Sequence, residues 1–236
     1  MSTTDTLPPE TPAEANSGGG VVLQRLVTPH PYYQDDAVTL YHGDIRTHWD
    51  ILPKCNLVLT DPPYPDEFKW CWPMLGELAA EKLVVGGSLL TLCGHYQVLS
   101  AGAAIEQHLR FWWIAGMHQT SITRMIGKDV NINWKPILWF VKDTKRKDVS
   151  TRWPQDMFSP RKREKGLYEW QQSESLFCHW IEELTNPGEM ILEPFVGSGT
   201  TLAAAKLLGR KCVGVEMDEG RCEITAQRLS QGVFKL

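Results

Sequence analysis

Short, nearly continuous apolar runs alternate along this chain with longer stretches whose apolar residues recur every third or fourth position. The first pattern suits buried strands and the second amphipathic helices. The strand candidates are Val38–Tyr41, Leu57–Thr60, Ser88–Cys93, Phe111–Met117, Ile137–Val141, Met190–Leu192 and Cys212–Val215. Phe68–Val85 carries Trp72, Met74, Leu75, Leu78, Ala79 and Leu83 in helical period. Pro73 suits its first turn, where a missing N–H costs little, and Gly86-Gly87 is its expected stop. Tyr96–Leu109, Leu176–Leu184 and Leu202–Leu208 also read as helices, whereas Ser121–Trp134 and Asp143–Trp170 show little period. Strands separated by helices predict an α/β fold with a sheet wound by crossovers.

Asp61-Pro62-Pro63-Tyr64 follows the run Leu57–Thr60 at once. Two prolines cannot continue a strand, so the chain must leave the sheet at a carboxyl end, the edge where open α/β sheets bind ligands. The stretch combines a carboxylate, a rigid backbone with free carbonyls and an aromatic face. An exocyclic amine on a nucleobase is a poor nucleophile because its lone pair is delocalised into the ring. Two acceptors on its two N–H groups, Asp61 and the Pro62 carbonyl, can draw it towards a tetrahedral geometry. Tyr64 can stack on a base taken out of its helix. The plainer alternative is a strand-ending turn, for which Asp and Pro are common residues.

The strand Met190–Leu192, the loop Glu193-Pro194-Phe195-Val196-Gly197-Ser198-Gly199-Thr200-Thr201, a helix and the strand Cys212–Val215, ended by Glu216, make a βαβ unit. Its Gly-x-Gly turn lets a ligand approach the backbone, and Glu216 can take both hydroxyls of a ribose. Leu202 stands where the third glycine of a dinucleotide fingerprint belongs. That argues against a pyrophosphate, and so against a nicotinamide dehydrogenase, and for a smaller nucleoside ligand. Asp44, just past the strand Val38–Tyr41, can either reach a ligand at the same edge or cap the segment Ile45–Leu52, with the two readings in balance.

At 236 residues and 42% apolar content the chain can bury the core of one large domain. Its net charge of −4 requires any nucleic-acid contact to come from a local patch. The span 142–165 holds nine basic residues (Lys142, Lys145, Arg146, Lys147, Arg152, Arg161, Lys162, Arg163 and Lys165) against four acidic ones, and leaves the remainder at −9. With Trp153, Phe158, Tyr168 and Trp170 in or after it, this stretch suits phosphate contacts, the alternative being a solvated surface loop. Residues 1–20, rich in Thr, Pro, Glu and Ala and ending in Ser-Gly-Gly-Gly, are expected to be disordered, with one domain over 21–236. No apolar run approaches a membrane span and residues 1–20 lack signal-peptide features, which points to the cytoplasm and to no membrane partner. Six cysteines without C-x-x-C spacing read as reduced, mostly buried thiols, and neither His95 nor His118 has metal-ligand spacing.

Asp61-Pro62-Pro63-Tyr64, followed much later by the glycine loop from Glu193 to Thr201, resembles the amino-group DNA methyltransferases that use S-adenosylmethionine. The catalytic motif precedes the cofactor motif, as in the circularly permuted β-class found in restriction-modification systems and as orphan enzymes. The resemblance spans roughly residues 36–229. It implies a Rossmann-like fold with a seven-stranded mixed sheet and one antiparallel hairpin. It implies that Phe195, Gly197 and Gly199, with Ser198 and Thr200, wrap the methionine part of the cofactor. Glu193 stands where Asp is commoner, Glu216 would hold the ribose and Asp44 would lie near the cofactor's adenine. Gln172 and Ser173 would line the methionine end, although Ser173-Glu174 replaces the usual Lys-Pro pair. Asp61, Pro62, Pro63 and Tyr64 take the catalytic and base-stacking positions, with no metal. Target recognition would lie in a basic insert at about 143–168, too short for a domain of its own, so a short target or help from a second subunit fits.

The implied substrate is double-stranded DNA, with room for a homodimer and for either a cognate restriction nuclease or an orphan role. Adenine N6 is the preferred target, because Asp leads the motif more often in adenine enzymes of this kind; cytosine N4 is the alternative. An RNA or protein-glutamine methyltransferase usually has Asn before Pro-Pro-Tyr and the reverse motif order. A catalytically silent DNA-binding protein is disfavoured by the acids at 44, 61, 193 and 216.

Overall fold

Every apolar run singled out above becomes part of one mixed sheet. The computed structural model describes residues 30–125, 127–149, 154–159 and 174–231. The tail 1–20, the expected start of the fold at Val21, the segment 170–173 with Gln172 and Ser173, and Arg152, Arg161, Lys162, Arg163 and Lys165 lie outside the described residues. In chain order the first half comprises β1 (Tyr33–Gln34), β2 (Val38–His42), α1 (Ile45–His48), β3 (Cys55–Thr60), α2 (Cys71–Lys82), β4 (Leu83–Leu92) and α3 (Val98–Glu106). The hairpin β5 (Arg110–Met125) and β6 (Val130–Val141) follows, then β7 (Met157–Phe158), α4 (Glu174–Leu184), β8 (Met190–Glu193), α5 (Thr200–Leu207), β9 (Lys211–Glu216) and α6 (Glu219–Ser230).

The strand order is β1-β2-β9-β8-β3-β4-β6-β5-β7. Neighbours from β2 to β4 run parallel, while β6 is antiparallel to both β4 and β5. The expected seven strands are therefore present with their antiparallel hairpin, and the two-residue strands β1 and β7 extend the edges to nine among the described residues. Side chains alternate between two buried faces. Leu57, Leu59, Ile137 and Trp139 pack with α4, α5 and α6, whereas Val58, Leu89, Leu138 and Phe140 pack with α2 and α3. Helices on both faces explain why the strands read as continuous apolar runs rather than as alternating ones.

Three expectations change. Helix α2 stops at Lys82, not at Gly86-Gly87, because Leu83 already pairs with Cys55 and Gly86 N–H donates to the Lys142 carbonyl at 2.9 Å. Backbone pairing thus draws Leu83–Gly87 into β4. The weakly periodic stretch from 121 to 134 is the outer half of the β5–β6 hairpin, in which Met125 pairs with Val130. This arm projects past the carboxyl end of β4, and among the described residues most of its side chains are exposed or only half-buried, which leaves no buried face to imprint a period. Helix α6, which the pattern did not reveal, begins at an Asp218 cap that accepts from Arg221 N–H at 2.9 Å, and it buries Cys222, Thr225 and Leu229.

The basic segment also changes character. Lys142 Nζ donates to the carbonyls of Ala80 and Leu83 at 2.6 and 2.9 Å, closing the end of α2. Arg146 pairs with Asp148 and Glu189, each at 2.7 Å, and Lys145 lies 5.6 Å from the Trp139 ring centre. Three of the basic side chains counted towards a phosphate-binding patch therefore hold the fold together.

Gly214, in the middle of β9, shows how tightly the two sides of the sheet edge are packed. A Cβ there would lie 2.3 Å from Val196 Cγ2 and 2.9 Å from Leu202 Cδ1. Both neighbours belong to the glycine loop and the helix it opens, so only glycine lets that loop rest on β9. Gly214→Ala should lower stability by about 1–3 kcal/mol, the usual cost of overpacking a filled core. Urea denaturation reads this directly, and an unchanged midpoint would show that Val196 swings aside freely.

Candidate active site

From β3 the chain winds outwards through β4, and from β8 it winds the other way through β9. The loops that leave the adjacent carboxyl ends of β3 and β8 therefore part, and a crevice opens between them. Its volume is about 570 Å³, within the range of roughly 300–1,000 Å³ that small-molecule sites occupy. Asp61, Pro62, Pro63 and Tyr64 line it, together with Asp44, Phe195, Gly197 and Glu216. Eight of the residues marked in the sequence thus meet in one cleft, from the ends of four strands.

The β3 end is held rigid. Tyr64 donates its hydroxyl proton to Asp61 Oδ1, and Gln97 Nε2 donates to the Tyr64 carbonyl at 2.8 Å. Burial, with the Asp61 charge beside it, pushes the Tyr64 phenol well above its ordinary value of 10.0, so it stays a neutral donor. Lys135 Nζ lies 3.3 Å from Asp61 Oδ2 and 4.9 Å from the Tyr64 ring centre. The sequence reading passed over Lys135; its only sign was a lysine just before the buried half of a strand.

Two further carboxylates shape the opposite wall. Glu216 Oε2 accepts from Gly197 N–H at 2.7 Å and its Oε1 from Asp218 N–H at 2.9 Å. Gly197 has φ +56, and a Cβ built there would meet nothing within 4 Å. The loop turns its bare backbone to open space, as close approach of a ligand requires. Asp44 proves to be both a cap and a cleft residue. Its side chain accepts from Arg46 N–H at 2.9 Å, and its carboxylate is held below the usual range by the Arg46 guanidinium. That guanidinium lies 4.3 Å from the Trp70 ring centre, and Trp70 lines the cleft too.

Glu193 and Thr200 lie beneath the cleft rather than on its surface, 2% and 5% exposed. Thr60 Oγ1 donates to Glu193 Oε1, Phe195 N–H to the same oxygen at 3.0 Å, and Thr201 Oγ1 to Oε2 at 2.6 Å. Burial nonetheless pushes its carboxyl up to about 8 against these three bonds. Ser198 and Gly199 also stay off the lining, and Gly199 opens α5 against Thr225 of α6. Met217, Asp218 and Arg221 line the cleft without having been marked, although Asp218 could have been found as an acid two positions after Glu216.

All six cysteines are free, and five are buried. Among the described residues no group of His, Cys, Asp or Glu is arranged to hold a metal, and no helix is long and apolar enough to cross a membrane. Acids dominate the cleft: Asp44, Asp61, Glu216 and Asp218 face Lys135 and Arg221. That set favours a ligand that is rich in hydroxyls and N–H groups or cationic.

The family model described as a DNA methylase (N6_N4_Mtase) matches residues 55–227. The chain is 23% identical to the type II methyltransferase M2.LlaDCHI of Lactococcus lactis subsp. cremoris, over 91% of this chain and 95% of that one. Among solved structures, the PvuII DNA methyltransferase (cytosine-N4-specific) superposes with a TM-score of 0.73 at 18% identity, over 85% of this chain and 89% of that one. The M1.HpyAVI–SAM complex superposes with a TM-score of 0.67 at 24% identity, over 81% and 98%. These two likenesses establish a Rossmann-like methyltransferase fold.

The Glu193 carboxyl generates a pH prediction. Its folded pKa lies above the ordinary 4.5, so its contribution to stability is complete below that value and is lost as pH rises through about 8. Glu193→Gln should flatten this dependence, and thermal denaturation of both proteins between about pH 5 and about pH 9 measures it. A wild-type midpoint that does not fall across that window would show that the three donors outweigh burial.

Proposed function

The chain belongs to the N6/N4 DNA methylase family, an amino-group DNA methyltransferase family, and from that premise we propose that it methylates the N6 amine of adenine in double-stranded DNA. S-adenosylmethionine is the methyl donor; bound in the cleft it supplies an electrophilic methyl group on a sulfonium. The observation that carries the reading is the convergence of the Asp61 carboxylate and the Tyr64 ring with Gly197 and Glu216 in one cleft at the carboxyl edge.

The fit to that donor rests on the acidic lining and the open backbone at Gly197. Glu216 would take the ribose hydroxyls on lone pairs left over from its two backbone bonds. Asp44 would lie by the adenine, and Phe195 and Gly197 by the methionine part. On the other side Asp61 accepts one N–H of a base extruded from the duplex, the Pro62 carbonyl accepts the other, and Tyr64 stacks on the ring. These acceptors hold the amine nitrogen with its lone pair free for in-line attack, so rate enhancement comes from positioning and electrostatics. Neither role requires a metal.

Adenine is preferred because an Asp leads the motif. Cytosine N4 is the second reading, supported by the likeness to the cytosine-N4-specific PvuII structure, and the same acceptors would serve it. Asp61→Ala should cut methyl transfer at least about a hundredfold while changing cofactor affinity by less than about threefold. Loss of cofactor binding in a folded variant would make Asp61 a cofactor ligand instead. Glu216→Ala should weaken cofactor binding by about tenfold or more, as removal of a charged hydrogen-bond partner does; unchanged affinity in calorimetry would contradict its ribose role. Methyl-aware sequencing of DNA from a methylation-free host expressing the protein decides the base. N6-methyladenine at one short motif supports the first reading, and N4-methylcytosine replaces it with the second.

A further inference from the structure

Lys135 belongs to neither sequence motif, yet it lines the cleft and its ammonium contacts both Asp61 and Tyr64. The sheet explains how it gets there. Because β6 runs antiparallel to β4, with Ile137 opposite Leu92, residues that precede the buried half of β6 emerge at the carboxyl edge of the parallel strands. The root of the hairpin thus delivers a lysine beside the loop that follows β3. The side chains of Lys135 and Asp61 are only 17% and 20% exposed, so water screens the pair less than it would on an open surface.

The two contacts of that ammonium are the two that a target base needs. It sits 3.3 Å from Asp61 Oδ2 while the Tyr64 hydroxyl bonds the other oxygen, and it lies over the Tyr64 ring at 4.9 Å. An ammonium on that oxygen and that ring competes with a base amine and a base ring for the same contacts. Electrostatics also requires it to leave. Attack by a neutral amine leaves positive charge on the nitrogen until a proton departs, and an ammonium still held at Asp61 would oppose that charge.

We infer that Lys135 is a placeholder for the target base. It is a positioning residue that holds the Asp61 carboxylate and covers Tyr64 until DNA arrives, then transfers its ammonium to a backbone phosphate of the incoming strand. Lysine suits the exchange, being a compact charge on a flexible stem that can trade one anion for another. The Tyr64 bond stays on Oδ1, and the amine takes the ammonium's place at Oδ2 as it departs, so the half-buried carboxylate keeps its partners. The inference rests on the reading of Asp61 and Tyr64 as the amine pocket.

The test compares wild type, Lys135→Met and Lys135→Arg in methyl transfer from radiolabelled S-adenosylmethionine to DNA from a methylation-free host, over a range of salt concentrations. The Met variant should raise KM for DNA about tenfold and reduce the salt slope of DNA affinity by about one, as loss of one phosphate contact does. Its kcat should fall by less than KM rises, and the Arg variant should recover the slope. Lys135→Gln serves the same comparison if the Met variant does not fold. A hundredfold fall in kcat with KM and slope retained would assign Lys135 to the chemical step and overturn the inference. Variants that match wild type in both KM and slope would overturn it as well. Failure of the wild type to methylate any DNA would instead overturn the underlying reading.

Discussion

The cleft depends on one buried carboxyl group. Glu193 ends β8 and accepts hydrogen bonds from Thr60 at the end of β3, from Phe195 in the glycine loop and from Thr201 in the first turn of α5. These residues flank the two loops that part at the switch point of the sheet, so the Glu193 contacts fix the spacing between Asp61 on one side and Gly197 on the other. A carboxyl group so deeply buried would be costly without partners, and three donors offset that cost. Burial still raises its proton affinity, and at 2% exposure the side chain braces the site from beneath rather than lining the cleft. Glu216 does similar work from β9 by gathering the backbone N–H groups of Gly197 and Asp218, but it also reaches the cleft surface.

Topology then sorts the charges. Parallel strands β2, β3, β8 and β9 end at the same edge, and an acid follows or ends each one: Asp44, Asp61, Glu193 and Glu216. A strand of opposite direction can bring a cation among them, because the start of such a strand lies where the others finish. The β6 reversal meets that condition and brings Lys135 onto Asp61 and Tyr64. The antiparallel hairpin is therefore more than an edge extension; it completes the electrostatics of the site.

Three members of the basic stretch are used by the fold itself, while Arg152, Arg161, Lys162, Arg163 and Lys165 lie outside the described residues. Lys142, Lys145 and Arg146 were summed with their neighbours as one positive patch, yet they end a helix, lie over a tryptophan and pair with two acids. Long cationic side chains find carbonyls, ring faces and carboxylates wherever the fold offers them. Their charge enters the sum while their availability to phosphate does not.

The sequence by itself determined the sheet strands and three of the acids that line the cleft. Apolar runs such as Leu57–Thr60 declare strands buried on both faces, and Pro62 and Pro63 declare where one of them must stop. The acids at positions 44, 61 and 216 were legible because each stands just past or at the end of such a run. Tertiary structure alone decided the rest. The end of α2 moved from Gly86 to Lys82 because sheet pairing competes with helix formation, and the pairing partner lies far along the chain. Glu193 went under the cleft rather than into it because Thr60 and Thr201 converge on it from elements distant in sequence. Lys135 joined the site because a hairpin reverses direction there. Local spacing carries information about faces and ends, whereas which ends meet depends on strand order, and strand order is settled only when the two faces of the sheet are covered together.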